Sequence, residues 1–229
     1  MPQGTIQLAG QPAEGILIVA GGRAPAMSWL QALPKDWTVY AADHGLDYCQ
    51  AAGLQASYLY GDKDSVNPLT WQTEQTKTRQ TKTFPVAKDD TDLQLILADL
   101  PPKALVLATG IWGGRLDHLY ANIFSLLQYR LAQDSQVILA DDKEIMVLLQ
   151  AGDEVSFSFT KLPASLAVSL LPLAAENTVS ITGVQWPLQK AELLLRKPYA
   201  ISNKALQQTI SASCSKGQVG FYLTFKDGK

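Results

Sequence analysis

Cysteine is scarce in this chain of 229 residues, with two in all. Cys49 and Cys214 lie far apart, form no CxxC pair and join no cysteine–histidine cluster. That excludes a thiolate zinc site and a disulfide-framed scaffold. Charge is thin as well, at 17% of residues against roughly a quarter in an average soluble domain. It is also nearly balanced, with a formal net charge of −2, so no basic field draws in nucleic acid. No apolar run approaches the ~20 residues that cross a bilayer. The opening MPQGTIQLAGQPAEG lacks a basic stretch followed by an apolar one, so no signal peptide is expected. These absences predict a cytoplasmic protein with neither a nucleic-acid nor a membrane partner. GxxxxGK[ST] is missing, and so is GxGxxG between a strand and a helix, which excludes a P-loop enzyme and a Rossmann dinucleotide site.

Apolar residues, at 47%, are plentiful enough to fold a core and to exclude a disordered chain. Their pattern divides the chain in two. Residues 15–20 (GILIVA), 38–42 (TVYAA), 58–60 (YLY), 104–109 (ALVLAT) and 137–140 (VILA) read as short buried strands. Between some of them lie helical stripes: Leu93, Ile96, Leu97 and Leu100, ended by Pro101-Pro102, and later Leu119, Ile123, Leu126 and Leu127. Alternating strands and helices predict a mostly parallel sheet covered by helices. Ligands bind such sheets at the carboxyl ends of the strands. There the sequence places Gly21-Gly22, Asp43, Gly61-Asp62, Gly110 and Asp141-Asp142.

After residue 150 the period drops to two. Val155, Phe157 and Phe159 alternate with serines, and further strand-like runs follow at 166–173, 178–182, 191–195 and 219–225. The fold class expected is therefore α/β: an α/β domain over 1–150, then an antiparallel β-sandwich over 151–229. The polar stretch 70–83 (TWQTEQTKTRQTKT) has no apolar face and reads as a solvated loop.

Three acidic constellations carry the chemistry. In Gly61-Asp62-Lys63-Asp64-Ser65 the two aspartates point the same way if the loop is extended. They suit a divalent cation such as magnesium, which prefers oxygen ligands, although an Asx turn also explains such a pair. In Lys88-Asp89-Asp90-Thr91-Asp92, a helix start, residues 89, 90 and 91 are each candidate N-caps. Acid near a helix N-terminus is favoured by ~0.3–1 kcal/mol, which explains one or two of the aspartates. A third adds repulsion unless a cation is near. The stretch 110–118 (GIWGGRLDH), then Asn122, joins a strand to a helix. Its Gly113-Gly114 lets backbone approach a ligand, Arg115 offers a planar fork for phosphate, and His118 and Asn122 share a helix face. Carboxylates, an arginine and a glycine turn at the ends of one sheet suit phosphoryl transfer.

At these residues the sequence resembles the thiamine pyrophosphokinase family. Residues 42–45 (ADHG), 61–65 (GDKDS), 88–92 (KDDTD) and 113–122 (GGRLDHLYAN) are similar, in order, to the family patterns ADGG, GDxDS, KDxTD and GGRxDHxxAN. In the second half 169–173 (SLLPL), 183–188 (GVQWPL) and Ile201-Ser202-Asn203 resemble its β-domain motifs. The resemblance implies diphosphate transfer from ATP to the hydroxyl of thiamine, giving thiamine diphosphate and AMP in a homodimer. It implies a magnesium-binding centre of Asp43, Asp62, Asp64 and Asp92. It assigns Arg115 and Asp117 to the nucleotide or its phosphates, and Ser202 and Asn203 to thiamine. Thr91, Gly113, Gly114, His118 and Asn122 belong to the same motifs and count as further binding residues.

Two positions depart from the pattern. His44 replaces the first glycine after the aspartate. Ala205 stands where many members have an aromatic residue two places after Ser-Asn. Thiamine is a cation with two aromatic rings, so Trp186 and Trp112 are candidate stacking partners in its place, although a core position is the expectation for each. Two other functions fit the same residues: a metal-dependent hydrolase of nucleotides or thiamine phosphates, and a non-catalytic nucleotide- or thiamine-binding protein.

Overall fold

Each of the five short apolar runs forms a strand in the computed structural model, which describes residues 4–8, 10, 12, 14–61, 66–75, 78–83 and 90–225. The chain divides into two compact units, Pro12–Asp142 and residues 1–11 with 143–229. β1 (Gly4–Leu8) thus belongs to the second unit, although it precedes the first.

The first unit holds β2 (Gly15–Val19), α1 (Met27–Gln31), β3 (Thr38–Ala42), α2 (Gly45–Ala52), β4 (Tyr58–Gly61) and α3 (Pro68–Gln75). It continues with β5 (Gln80–Thr83), α4 (Asp92–Asp99), β6 (Leu105–Thr109), α5 (Leu116–Gln133) and β7 (Gln136–Ala140). All its described strands pair in parallel, in the order β7-β6-β2-β3-β4-β5. Ile16, Ile18, Val106 and Ala108 are fully buried, as a parallel sheet covered on both faces requires. The chain builds outward from β2 through β3, β4 and β5, then returns to lay β6 on the other side of β2. The strand order therefore reverses between β2 and β6, and a crevice opens beyond their carboxyl ends.

Local chemistry fixes the helix ends. Thr91 is the N-cap of α4: its hydroxyl accepts from the Gln94 amide (3.3 Å), and the Gln94 side chain accepts from the Thr91 amide (2.8 Å). This capping box, rather than an aspartate, starts the helix. At the other end Leu100 is extended (ψ 145°), as the residue before a proline must be.

The polar stretch 70–83 is not the loop that its composition suggests. Thr70 and Trp71 are both 5% exposed and anchor α3. Residues 80–83 form β5, which pairs in parallel with β4 at the sheet edge. An edge strand exposes much of its surface, so its sequence shows no apolar run.

The second unit has two antiparallel sheets. One has the order β1-β9-β14-β11-β12, with β9 (Asp153–Phe159), β11 (Glu176–Thr182), β12 (Leu188–Leu194) and β14 (Thr209–Lys216). The other sets β13 (Asn203–Lys204), β10 (Leu166–Pro172), β15 (Gln218–Phe225) and β8 (Glu144–Gln150) side by side. The helix-free reading of the chain beyond residue 150 matches its described part. β8 begins before that boundary, and its partner is β15. The rings of Phe157 and Phe221, one from each sheet, stand 5.6 Å apart, and Phe221 is fully buried. Cys49 and Cys214 are buried and form no disulfide with one another. Among the described residues no helix is long and apolar enough to cross a membrane.

Replacing Phe221 removes a ring at the contact between two sheets. Phe221→Ala is expected to destabilise the second unit by about 3–5 kcal/mol, read as a lower denaturant midpoint at unchanged slope.

Candidate functional site

The crevice between β2 and β6 is a cleft of about 420 Å³. Its floor is Ala20, Gly21, Gly22, Gly110 and Ile111, from the two strand ends, and Ala42, Asp43 and His44 enter from β3. Thr91, Asp92 and Leu93 come from the start of α4, and Gly113, Gly114, Arg115, His118 and Asn122 from the turn into α5. Eight of the residues singled out in the sequence thus share one cleft: Asp43, Thr91, Asp92, Gly113, Gly114, Arg115, His118 and Asn122.

The floor is a seam of backbone. The Ala20, Gly22 and Arg23 amides donate to the carbonyls of Thr109 (2.9 Å), Gly110 (2.5 Å) and Trp112 (2.6 Å). A Cβ at Gly110 would lie 2.0 Å from the Ala20 oxygen, and its φ of +67° is unfavourable for other residues. Asp43 also has a positive φ, +50°, which aspartate tolerates better than most residues. Its amide donates to the Tyr60 carbonyl (3.2 Å). Asp43 Oδ1 fills the space a side chain at residue 61 would need, 2.4 Å from that ideal Cβ position. The carboxylate therefore packs against the last residue of β4. Asp62 and Asp64, with Asp89, lie outside the described residues.

His44 is harmless to the backbone. Its φ of −56° and ψ of −14° are helical, so the turn does not require glycine there. The next residue does require it: a Cβ at Gly45 would lie 1.9 Å from the Val19 carbonyl oxygen. His44 Nδ1 is 3.4 Å from Asp47 Oδ2. The imidazole also borders an adjoining cleft of about 610 Å³ that contains Asp47, Gln50, Asn67 and Thr70.

Arg115 donates from Nε (3.1 Å) and Nη2 (2.6 Å) to the two carboxylate oxygens of Asp117, which also accepts from the His118 amide (2.9 Å). The arginine hydrogen bond holds the Asp117 carboxyl below the usual carboxylate range, and the same contact raises the Arg115 guanidinium. Both side chains are mostly exposed, at 75% and 62%, so the pair contributes little to stability and its guanidinium is within reach of a ligand. Asp117 orients Arg115 but is not part of the cleft wall.

Ser202 and Asn203 lie in the second unit. Asn203 is buried: its Oδ1 accepts from the Trp186 (3.1 Å) and Lys204 (2.9 Å) amides, and its Nδ2 donates to the Trp186 carbonyl (2.8 Å). The amide thus ties down the Trp186 backbone. Trp186 is 60% exposed, against the core position expected for it, whereas Trp112 is 4% exposed and buried as expected. The Ser202 amide donates to Ser169 Oγ (2.9 Å).

Several residues at the crevice went unassigned in the sequence. Gly21 and Gly22 line it. Asp141, fully buried, accepts from Arg23 Nε (2.9 Å) and Nη2 (2.6 Å), and Asp142 accepts from the Ala26 amide (2.7 Å). The signal for them was the same one that marked Asp43 and Gly110: polar or glycine residues just past a strand. Among the described residues no three histidine, cysteine or acidic side chains converge as a metal-binding group. Asp43 and Asp92 nonetheless bring hard oxygen donors to one cleft.

Comparison with known proteins points to one family. Residues 30–139 match the family "Thiamin pyrophosphokinase, catalytic domain", and residues 153–219 match "Thiamin pyrophosphokinase, vitamin B1 binding domain". Thiamine pyrophosphokinase of Bacillus subtilis (strain 168) is 27% identical over 212 residues, covering 88% of this chain and 94% of that protein. The crystal structure of the Bacillus subtilis thiamine pyrophosphokinase superposes with a TM-score of 0.76 at 23% identity, covering 94% of this chain and 100% of that one. That of Candida albicans thiamin pyrophosphokinase gives 0.75 at 13% identity, covering 93% and 89%. At such identities the structural likeness speaks for the fold.

The Arg115–Asp117 pair has a measurable signature. Asp117 is expected to titrate below the ordinary carboxylate range by NMR, and Arg115→Gln is expected to return it there. A lowered carboxyl pKa stabilises the folded state above the unfolded pKa, a contribution lost as pH falls through the folded one. A normal Asp117 midpoint in the unmodified protein would contradict the pairing.

Proposed function

Because the chain belongs to the thiamin pyrophosphokinase family, we propose that the crevice between β2 and β6 is where it transfers the diphosphate of ATP to thiamine. The observation that carries this reading is the gathering of Asp43, Asp92, the glycine turn, Arg115, His118 and Asn122 in one cleft. The parallel unit is the nucleotide-binding and catalytic domain. The antiparallel unit, read as a β-sandwich, is the thiamine-binding one. Its Ser202 and Asn203 shape the vitamin's site, and the exposed Trp186 indole offers the aromatic face missing at Ala205.

The thiamine hydroxyl attacks the β-phosphorus of ATP, and AMP leaves in line. Asp43, Asp62, Asp64 and Asp92 would hold magnesium, which when bound neutralises the polyphosphate and the charge that shifts toward the leaving oxygen. Two of these four carboxylates, Asp43 and Asp92, line the cleft, and such oxygen donors suit a hard cation. Arg115 turns from Asp117 toward the phosphate oxygens, which match its fork equally well. Backbone of the Gly113-Gly114 turn lies close against the phosphates. Asp92, at the first turn of α4, takes the hydroxyl proton. The protein acts in the cytoplasm as a homodimer. The small β unit exposes Trp186, Ile201 and Leu206 at 60, 55 and 56%, apolar surface that a second copy can cover.

The test is formation of AMP and thiamine diphosphate from ATP, magnesium and thiamine. AMP released without thiamine would instead support a hydrolase, and binding without turnover a pure binding protein. Chelating the metal is expected to abolish turnover. Asp92→Asn keeps size and hydrogen bonding while removing charge. It is expected to leave the melting temperature nearly unchanged and to lower kcat by about 10²–10³, the cost of one such electrostatic partner. Unaltered kcat in that variant would remove Asp92 from the centre. Light scattering is expected to give twice the chain mass, and a monomer at micromolar concentration would overturn the dimer.

A further inference from the structure

Arg23 is not among the residues that line the crevice. Its backbone amide donates to the Trp112 carbonyl (2.6 Å), one residue after Gly22 donates to Gly110 (2.5 Å). Its Cβ lies 3.1 Å from where a Cβ on Gly113 would be, so the glycine turn rests directly on it. Beyond the Cβ the side chain runs to the end of β7, where Nε and Nη2 donate to Oδ2 of Asp141. Asp141 is fully buried. A buried carboxylate is tolerable only when paired and hydrogen-bonded, so the arginine has little freedom to leave it. Three residues on, the Ala26 amide donates to Asp142 Oδ1 (2.7 Å). The Tyr48 hydroxyl donates to the Gly22 carbonyl (2.9 Å). The segment after β2 is thus pinned to three other strand ends: β6 by backbone, β7 by the ion pair, and β3 through Tyr48 of α2.

From this we infer that Arg23 is a positioning residue for the nucleotide. It holds the turn at residues 110–114 at a fixed height above the sheet, so that the turn's backbone meets the phosphates without first being ordered. The inference rests on the crevice being the ATP site. It assigns Arg23 no contact with substrate: the residue acts through Gly113 and through the Gly22–Gly110 hydrogen bond. Preorganised backbone donors bind a ligand more tightly because less freedom is lost on binding. A loosened turn should therefore raise KM for ATP while leaving KM for thiamine and kcat nearly as they were.

Arg23→Met alone leaves the Asp141 charge buried without its partner and can fail to fold. The test therefore uses Arg23→Lys, which keeps the charge but loses the planar fork, and the double variant Arg23→Met/Asp141→Asn, which removes both charges. Each is measured for melting temperature, steady-state kinetics with both substrates, and hydrogen exchange at the Gly22 amide. A purely structural role predicts that the double variant, with no stranded charge, recovers both stability and ATP affinity. Positioning predicts that it recovers stability yet keeps KM for ATP raised about tenfold, with faster exchange at Gly22 in both variants. Unchanged KM for ATP in a folded double variant overturns the inference, as does an equal rise in both KM values with a fall in kcat. If the unmodified protein makes no thiamine diphosphate, the functional reading fails by itself. Gly22 exchange then decides the positioning role: unchanged protection overturns it, and lost protection supports it.

Discussion

The reversal of strand order between β2 and β6 is the constraint on which the site depends. Two neighbouring parallel strands send their chains away in opposite directions, and the gap has to be closed from below without being filled. Backbone does this work, through the amides of Ala20, Gly22 and Arg23 on the carbonyls beyond β6. A Cβ at residue 22 or 110 would strike that backbone, 2.4 Å from the Gly110 oxygen or 2.0 Å from the Ala20 oxygen, which is why both are glycines. The result is a floor of peptide groups, ringed by side chains from β3, α4 and α5. Such a floor suits a polyanion, since amide dipoles carry no charge that must be removed when the ligand leaves.

Around that floor the charges are arranged in opposition. Carboxylates enter from β3 and α4, and among the described residues the one arginine or lysine in the cleft wall enters from the start of α5. Each sign is held where its partner can be exchanged. Asp117 neutralises Arg115 at the surface, where the pairing is weak because water competes for both groups. Asp141, by contrast, is out of reach of water and keeps its arginine. The molecule thus uses the same ion pair twice, once as a loose reservoir and once as a fixed joint, and burial alone separates the two uses.

Much of this was legible in the sequence. Buried parallel strands are short apolar runs, the rule that ligands gather at their carboxyl ends led to Asp43 and Gly110, and the crowding of acid at a helix start led to residues 91–92. The edge strand β5 was hidden because half its surface meets water, leaving TKT where a central strand would have valine or isoleucine. β1 was hidden for a related reason: GTIQL pairs with residues 155–159, some 150 positions away, and no local pattern records so distant a partner. β14 reads as a polar run because its outward serines alternate with Ile210, Ala212 and Cys214, all buried, two of them small. Arg23 and Asp141 were invisible as a pair for the same reason as β1. Each is an ordinary charged residue until the sheet brings residues 118 positions apart together.

The neighbours His44 and Gly45 obey different rules although they share one turn. Residue 45 is pressed against the Val19 carbonyl and cannot carry a side chain. Residue 44 has helical torsions that any amino acid can adopt, and its imidazole borders both clefts. The scaffold therefore leaves one letter open at the mouth of the site while freezing the letter beside it. Selection can rewrite position 44 in a single step, changing what the entrance offers an incoming molecule, and the sheet beneath need not readjust.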